Sequence, residues 1–122
     1  MAFTIIDGGT GQELHTRLGR PATPLWSAEA IDARPDLVEA VHADFLSAGA
    51  DVITVASYSV TPERLDRAGR ADAFEPLQTA ALQAARKARD RHKPAARIAG
   101  CLPPLPGSYR PSERLREREA RN

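Results

Sequence analysis

The sequence has little cysteine, few aromatic side chains and no long apolar run. Among its 122 residues are a single cysteine, Cys101, and only six Phe, Tyr and Trp side chains. One cysteine forms no intramolecular disulfide and supplies only one of the four ligands of a structural zinc site. No apolar run approaches the ~20 residues of a membrane-spanning helix, and the N-terminus lacks the basic start of a secretory signal. We therefore expect a cytoplasmic protein that is neither a disulfide scaffold nor a membrane protein.

Positive and negative charges nearly balance, but they are unevenly distributed along the chain. The net charge is +1, whereas residues 1–60 carry −5 and residues 61–122 carry +6. A basic half attracts nucleic acid, but the basic run at residues 86–93 has no interleaved aromatic side chains on which bases could stack. We therefore expect this run to be a solvated helix face, with nucleic-acid binding as the least favoured alternative.

Alternating apolar segments and loops predict an α/β fold. Three β-branched or apolar runs, at residues 3–6, 52–56 and 98–102, each end in a loop rich in Gly, Pro or Ser. Helical patterns separate them, at residues 12–18, 27–32, 35–48, from 61 onward, and 72–92. The sequence therefore predicts about three parallel strands with flanking helices, in one domain over residues 1–111. Residues 112–122 are mostly charged and are predicted to form a frayed or disordered tail.

The candidate site residues follow the predicted strands. In parallel α/β folds ligands bind at the carboxyl ends of strands, so Asp7, Ser57, Tyr58 and the loop after Cys101 should converge. The Asp7 carboxylate and the backbone amides at Gly8 and Gly9 suit the ammonium and carboxylate of an amino acid. Two alternatives stay open: Asp7 caps backbone amides of a turn, and Tyr58 covers the sheet end as an aromatic plug.

The remaining polar or reactive side chains are predicted to be structural. Trp26 either covers the site or, more commonly for such a residue, packs as a large amphipathic side chain. His42 is predicted to lie at the boundary of the core, and Cys101 to be an inert core residue. Neither a nucleotide-binding glycine motif nor a recognisable Ser/His/Asp arrangement is present.

Several sequence segments, in order, resemble the homocysteine S-methyltransferase family. They are residues 7–14 (DGGTGQEL), 24–27 (PLWS), 42–54 (HADFLSAGADVIT), 57–58 (SY), 99–104 (AGCLPP) and 107–111 (GSYRP). The resemblance runs from residue 3 to about residue 111 and corresponds to roughly the N-terminal third of a family member. It implies part of a (β/α)8 TIM barrel, a fold of ~250 residues.

The resemblance also implies an activity and a set of ligands. The family transfers a methyl group from S-methylmethionine, S-adenosylmethionine or betaine to the homocysteine thiol, forming methionine, with zinc holding the thiolate. By resemblance, Asp7 binds the homocysteine ammonium, the amides at Gly8 and Gly9 bind its carboxylate, and Tyr58 lines the donor side. No catalytic residue and no metal ligand are assigned in this chain.

The sequence departs from the family at the metal. The family's zinc ligands are three cysteines, one late in the barrel and two in a Gly-Gly-Cys-Cys stretch, and Cys101 matches none of them. The resemblance therefore implies a truncated or split enzyme that needs a complementing chain or self-association. The alternative is a noncatalytic small α/β binding or interaction module derived from the same barrel.

Overall fold

The computed structural model describes residues 2–103, so the predicted tail and the segment 107–111 lie outside the described residues. Along the chain come α1 (Thr10–Leu18), α2 (Ala28–Ala33), α3 (Pro35–Ser47), β1 (Val52–Thr54), α4 (Pro62–Arg67), a 3-10 turn (Ala71–Ala73), α5 (Phe74–His92) and β2 (Arg97–Ala99). Over these residues, no helix combines the length and the apolar character that crossing a membrane requires.

The sheet has two parallel strands rather than the three that the sequence predicts. β1 pairs with β2 in the register Val52–Arg97 to Thr54–Ala99. The predicted strand at residues 3–6 is wrong as a strand, because it contributes only an isolated parallel bridge from Ile6 to Val52. The ladder does not extend on either side of this bridge, because the Ile5 N–H donates to the side-chain carboxylate of Asp51, at 3.0 Å, and the Thr54 N–H donates to the side-chain carboxylate of Asp7, at 2.7 Å.

Helix α3 is the centre of the core. Pro35 occupies its first turn, where a missing N–H costs nothing, and Gly49 follows its last turn with a φ of +114°. Val38 and Val41 are fully buried against the neighbouring elements, which include α5 and β1. The predicted helix at residues 35–48 is thus confirmed to within one residue.

Helix α5 packs closely on α3 through small side chains. Its buried face consists mainly of alanines, among which Ala81, Ala85 and Ala88 are fully buried. Because most side chains on this face are small, the two helix backbones can approach each other. The helix begins at Phe74, two residues later than predicted, because the 3-10 turn occupies residues 71–73.

His42 lies inside this core, which the prediction of a boundary position did not anticipate. The side chain is fully buried on α3, and neither ring nitrogen has a hydrogen-bond partner among the described residues. Burial lowers the pKa of His42, although the nearby Asp7 carboxylate raises it in part. The imidazole is therefore a neutral core side chain that lies within electrostatic reach of Asp7, in the loop before α1.

Candidate functional site

A cleft of about 550 Å³ opens at the carboxyl ends of β1 and β2. Its walls come from the loop before α1, the turn before α2, the segment after β1, the first turn of α4 and Cys101. The structure brings Asp7, Gly8, Gly9 and Tyr58 together in this cleft, as the sequence predicts. Ser57 does not line it, and its side chain is buried at 2% exposure, so the prediction that Ser57 converges on the site is wrong.

Asp7 is held at the end of β1 by a residue that the sequence analysis did not single out. Its Oδ2 accepts the backbone N–H of Thr54 at 2.7 Å, and its Oδ1 accepts the Thr54 hydroxyl at 2.9 Å. The alternative in which Asp7 caps backbone amides of its own turn is thus wrong, because the amide that it accepts belongs to β1. A carboxylate offers about four lone-pair positions, so about two remain for a ligand. Thr54 was detectable in principle, as the single polar residue in the run Val52–Ala56.

The loop from Gly8 to Thr10 places backbone donors beside Asp7. Among residues 2–103, the N–H groups of Gly8 and Gly9 find no acceptor. A side chain at Gly8 would begin only 3.4 Å from the Phe45 ring, so the loop lies directly on α3. Helix α1 begins at Thr10, two residues earlier than predicted, and its N-cap Gly9 supplies no capping side chain. Free N–H groups and the positive end of the helix dipole both favour an anion here.

Two aromatic side chains lie half-exposed on the cleft wall. Trp26 is 48% exposed and Tyr58 is 45% exposed, so neither is packed in the core. For Trp26 this position agrees with the alternative in which it covers the site, which the sequence favoured less than packing. Its φ of +46° lies in the left-handed region, which is unusual for a residue with a large side chain. Such a backbone outlier beside a cleft is typical of functional sites.

A buried serine pair joins the two loops that carry these aromatics. The hydroxyls of Ser27 and Ser59 are 3.0 Å apart, and the Ser59 hydroxyl also accepts the backbone N–H of Ala28 at 3.1 Å. Ser59, from another segment, thus shares the Ala28 N–H at the start of α2 with the Leu25 carbonyl, which accepts it at 2.9 Å. Ser27 occupies the N-cap position of α2, but its side chain makes no capping hydrogen bond with its own helix. The pair fixes the turn at Trp26 against the segment after β1.

The residues of the cleft do not fit a zinc ion. Over residues 2–103 no three His, Cys, Asp or Glu side chains come close enough together to hold a metal. Cys101 lines the cleft and is partly buried, so the prediction of a core position is wrong. Burial raises the pKa of its thiol, which is the opposite of what a metal-bound thiolate needs.

Sequence comparison relates the chain to known methyltransferases. The chain matches the sequence model of the homocysteine S-methyltransferase family over residues 4–122. It is 40% identical to homocysteine S-methyltransferase 4 of Zea mays over 86 residues. This alignment covers 70% of this chain and 25% of the Zea mays protein. Selenocysteine Se-methyltransferase of Brassica oleracea var. italica is 42% identical over 67 residues, covering 55% of this chain and 19% of the relative.

A solved structure agrees with these sequence matches. The metallated homocysteine methyltransferase MmuM of Escherichia coli superposes with a TM-score of 0.80 and 31% identity, over 96% of this chain and 45% of that one. The matched part thus spans about a quarter or less of the two plant relatives above, and less than half of the bacterial enzyme. With a family match that extends over nearly all of its length, the chain belongs to the homocysteine S-methyltransferase family.

Proposed function

We propose that this chain is the part of a homocysteine S-methyltransferase that binds the amino acid end of homocysteine. The observation that carries the proposal is the Asp7 carboxylate, fixed by both donors of Thr54 at the mouth of the cleft. A carboxylate with its orientation set in advance binds an ammonium without further loss of side-chain freedom. The free N–H groups of Gly8 and Gly9 lie next to it in the same loop.

The two ends of the site match the two charges of an amino acid. On this proposal, Asp7 accepts hydrogen bonds from the homocysteine ammonium, while the amides at Gly8 and Gly9 donate to its carboxylate. The N-terminus of α1 adds its dipole on the carboxylate side. The thiol of the substrate then extends along the cleft toward Tyr58, where the methyl donor binds. Methyl transfer from a sulfonium or ammonium donor converts homocysteine into methionine.

The proposal includes a (β/α)8 barrel completed by further strands. Phe3 is 79% exposed and Ile6 is 67% exposed at one edge of the sheet, and Leu102 is 98% exposed just beyond β2. Unpaired apolar edges of this kind favour association with additional strands. We propose that these strands come from a longer form of the chain or from a complementing chain. Zinc ligands would come with them, and no step of the proposal passes through a metal on the residues described here.

Calorimetric titration of homocysteine into the 122-residue chain tests the proposal. We expect binding heat from the chain and at least tenfold weaker binding by the Asp7→Asn variant. The matched control is Asp36→Asn, because Asp36 is exposed on α3 and pairs with Arg34 away from the cleft. The ligand 4-mercaptobutanoate, which lacks the ammonium, should not distinguish the chain from the Asp7→Asn variant.

Two results would contradict the proposal. One is the absence of homocysteine binding by a chain that circular dichroism shows to be folded. The other is equal affinity for homocysteine in the chain and in the folded Asp7→Asn variant. The first result, together with concentration-dependent self-association, would instead support the noncatalytic interaction module, for which the exposed Phe3 and Ile6 are the structural argument.

A further inference from the structure

Arg64 brings a cation into the cleft that none of the roles above uses. It lies in the first turn of α4, and its backbone N–H donates to the Thr61 hydroxyl at 3.2 Å. Its side chain is partly buried and lines the same cleft as Asp7 and Tyr58. Thr61 and the adjacent Pro62 fix the start of the helix, so the position from which the guanidinium extends is well defined.

The ion-pair pattern sets Arg64 apart from the other basic residues between positions 2 and 103. Eight Arg and Lys side chains in this range pair with a carboxylate, at N–O distances up to 3.7 Å. Within the same range, the basic side chains outside any ion pair are Arg64, Arg86, Lys87 and Arg97, of which the last three are exposed. Arg64 is thus the one partly buried cation there without a carboxylate.

A partly desolvated guanidinium favours an anionic partner. Its planar donors match a carboxylate in a bidentate geometry, and such charge-assisted hydrogen bonds are stronger than neutral ones. The charged groups of homocysteine are already assigned, to Asp7 and to the amides at Gly8 and Gly9. Arg64 follows Tyr58 by six residues on the segment after β1, which is the side assigned to the methyl donor.

We propose that Arg64 binds the carboxylate of the methyl donor and thereby selects onium compounds that carry a carboxylate. This inference rests on the proposed function and assigns a specificity-determining residue to its second substrate, the methyl donor. An activated methyl group sits on a positive sulfur or nitrogen, which Arg64 repels. A simple onium cation is therefore disfavoured beside it. A donor with a carboxylate at its other end gains an ion pair at Arg64 while its onium group lies further along the cleft.

The test compares donors with and without a carboxylate, at saturating homocysteine so that the Asp7 end is occupied. S-methylmethionine and glycine betaine are each titrated beside their own carboxamide into the 122-residue chain. For at least one pair, we expect the carboxylate to bind at least tenfold more tightly, which corresponds to about 1.4 kcal/mol. Arg64→Gln should abolish this preference, and Arg64→Lys should keep part of it. The control Arg97→Gln, at an exposed arginine on β2, should keep all of it.

The outcomes separate this inference from the proposed function. If homocysteine binds in an Asp7-dependent manner but neither pair shows a carboxylate preference, or the preference survives Arg64→Gln, the role of Arg64 is refuted and the proposed function stands. If homocysteine does not bind, the proposed function fails. The carboxylate preference measured without homocysteine, and its loss or survival in Arg64→Gln, then still decides the role of Arg64.

Discussion

Replacing Thr54 by valine tests whether Asp7 is positioned in the way that the structure indicates. The change keeps the β-branched shape but removes the hydroxyl that donates to Asp7 Oδ1 at 2.9 Å, while the backbone donor at 2.7 Å remains. A hydrogen bond to a charged group contributes about 1.5–3 kcal/mol, and because Asp7 is only partly buried we expect the lower end, about 1.5 kcal/mol. For a domain of this size, that loss lowers the melting temperature by roughly 6 °C.

Thr10→Val is the matched control, because it makes the same chemical change three residues after Asp7. The Thr10 hydroxyl is buried and has no hydrogen-bond partner among the described residues. Removing an unsatisfied buried hydroxyl should leave the free energy of unfolding unchanged or raise it by about 1 kcal/mol. Urea unfolding of both variants provides the comparison. The reasoning is refuted if Thr54→Val unfolds like the parent chain, or if Thr10→Val is destabilised to the same extent.

Three further variants test the surrounding structure. Ser59→Ala removes both hydrogen bonds of the Ser59 hydroxyl and leaves the buried Ser27 hydroxyl without this partner, so it should cost about 2 kcal/mol in urea unfolding, whereas Ser47→Ala at an exposed position should cost less than about 0.5 kcal/mol. Burial lowers the pKa of His42 below its unfolded value of 6.5, so the unfolded chain binds more protons and stability should decrease as the pH falls below about 6.5. His42→Leu should flatten this dependence and His92→Gln should not, when unfolding is measured between pH 7.5 and 5; an unchanged slope in His42→Leu would count against the assignment. Gly49→Ala should cost at least about 1 kcal/mol through the backbone alone, because φ is +114° and no atom lies within 4 Å of an added Cβ, so thermal unfolding at the parent temperature would contradict this strain.

Local sequence signals were sufficient for the elements whose ends carry their own marker. Helix α3 could be placed because Pro35 fits a first helical turn and Gly49 supplies the positive φ that ends one. The approach of Asp7 to Tyr58 could be predicted because Tyr58 follows β1, and Asp7 follows a segment that runs parallel to β1 and is joined to it by the Ile6–Val52 bridge. For α3 the deciding residues lie at the ends of the helix itself, and for Asp7 and Tyr58 the general geometry of parallel pairing was sufficient.

The features that the sequence did not predict depend on contacts between distant segments. The segment 3–6 has strand-like side chains, but whether it forms a ladder depends on the Ile5–Asp51 hydrogen bond, 46 residues apart. His42 is polar and reads as a boundary residue, yet the position of α3 at the centre of the core buries it fully. Arg64 gave no local signal, because what distinguishes it is that no carboxylate between residues 2 and 103 pairs with it.

The Asp7–Thr54 contact also has a consequence for the order of folding. It joins residues 47 positions apart, and closing a flexible loop of that length costs about 3.4 kcal/mol of chain entropy by the (3/2)RT ln n relation. Ordering the backbone of the two residues adds about 1–2 kcal/mol each. Two partly exposed hydrogen bonds do not offset this cost, so the contact forms only once α1 and α3 have already brought the chain together. We therefore expect competence for ligand binding to arise late in folding. Because the last contact to form is the first to open, the Thr54 amide should exchange through local openings that leave the core folded.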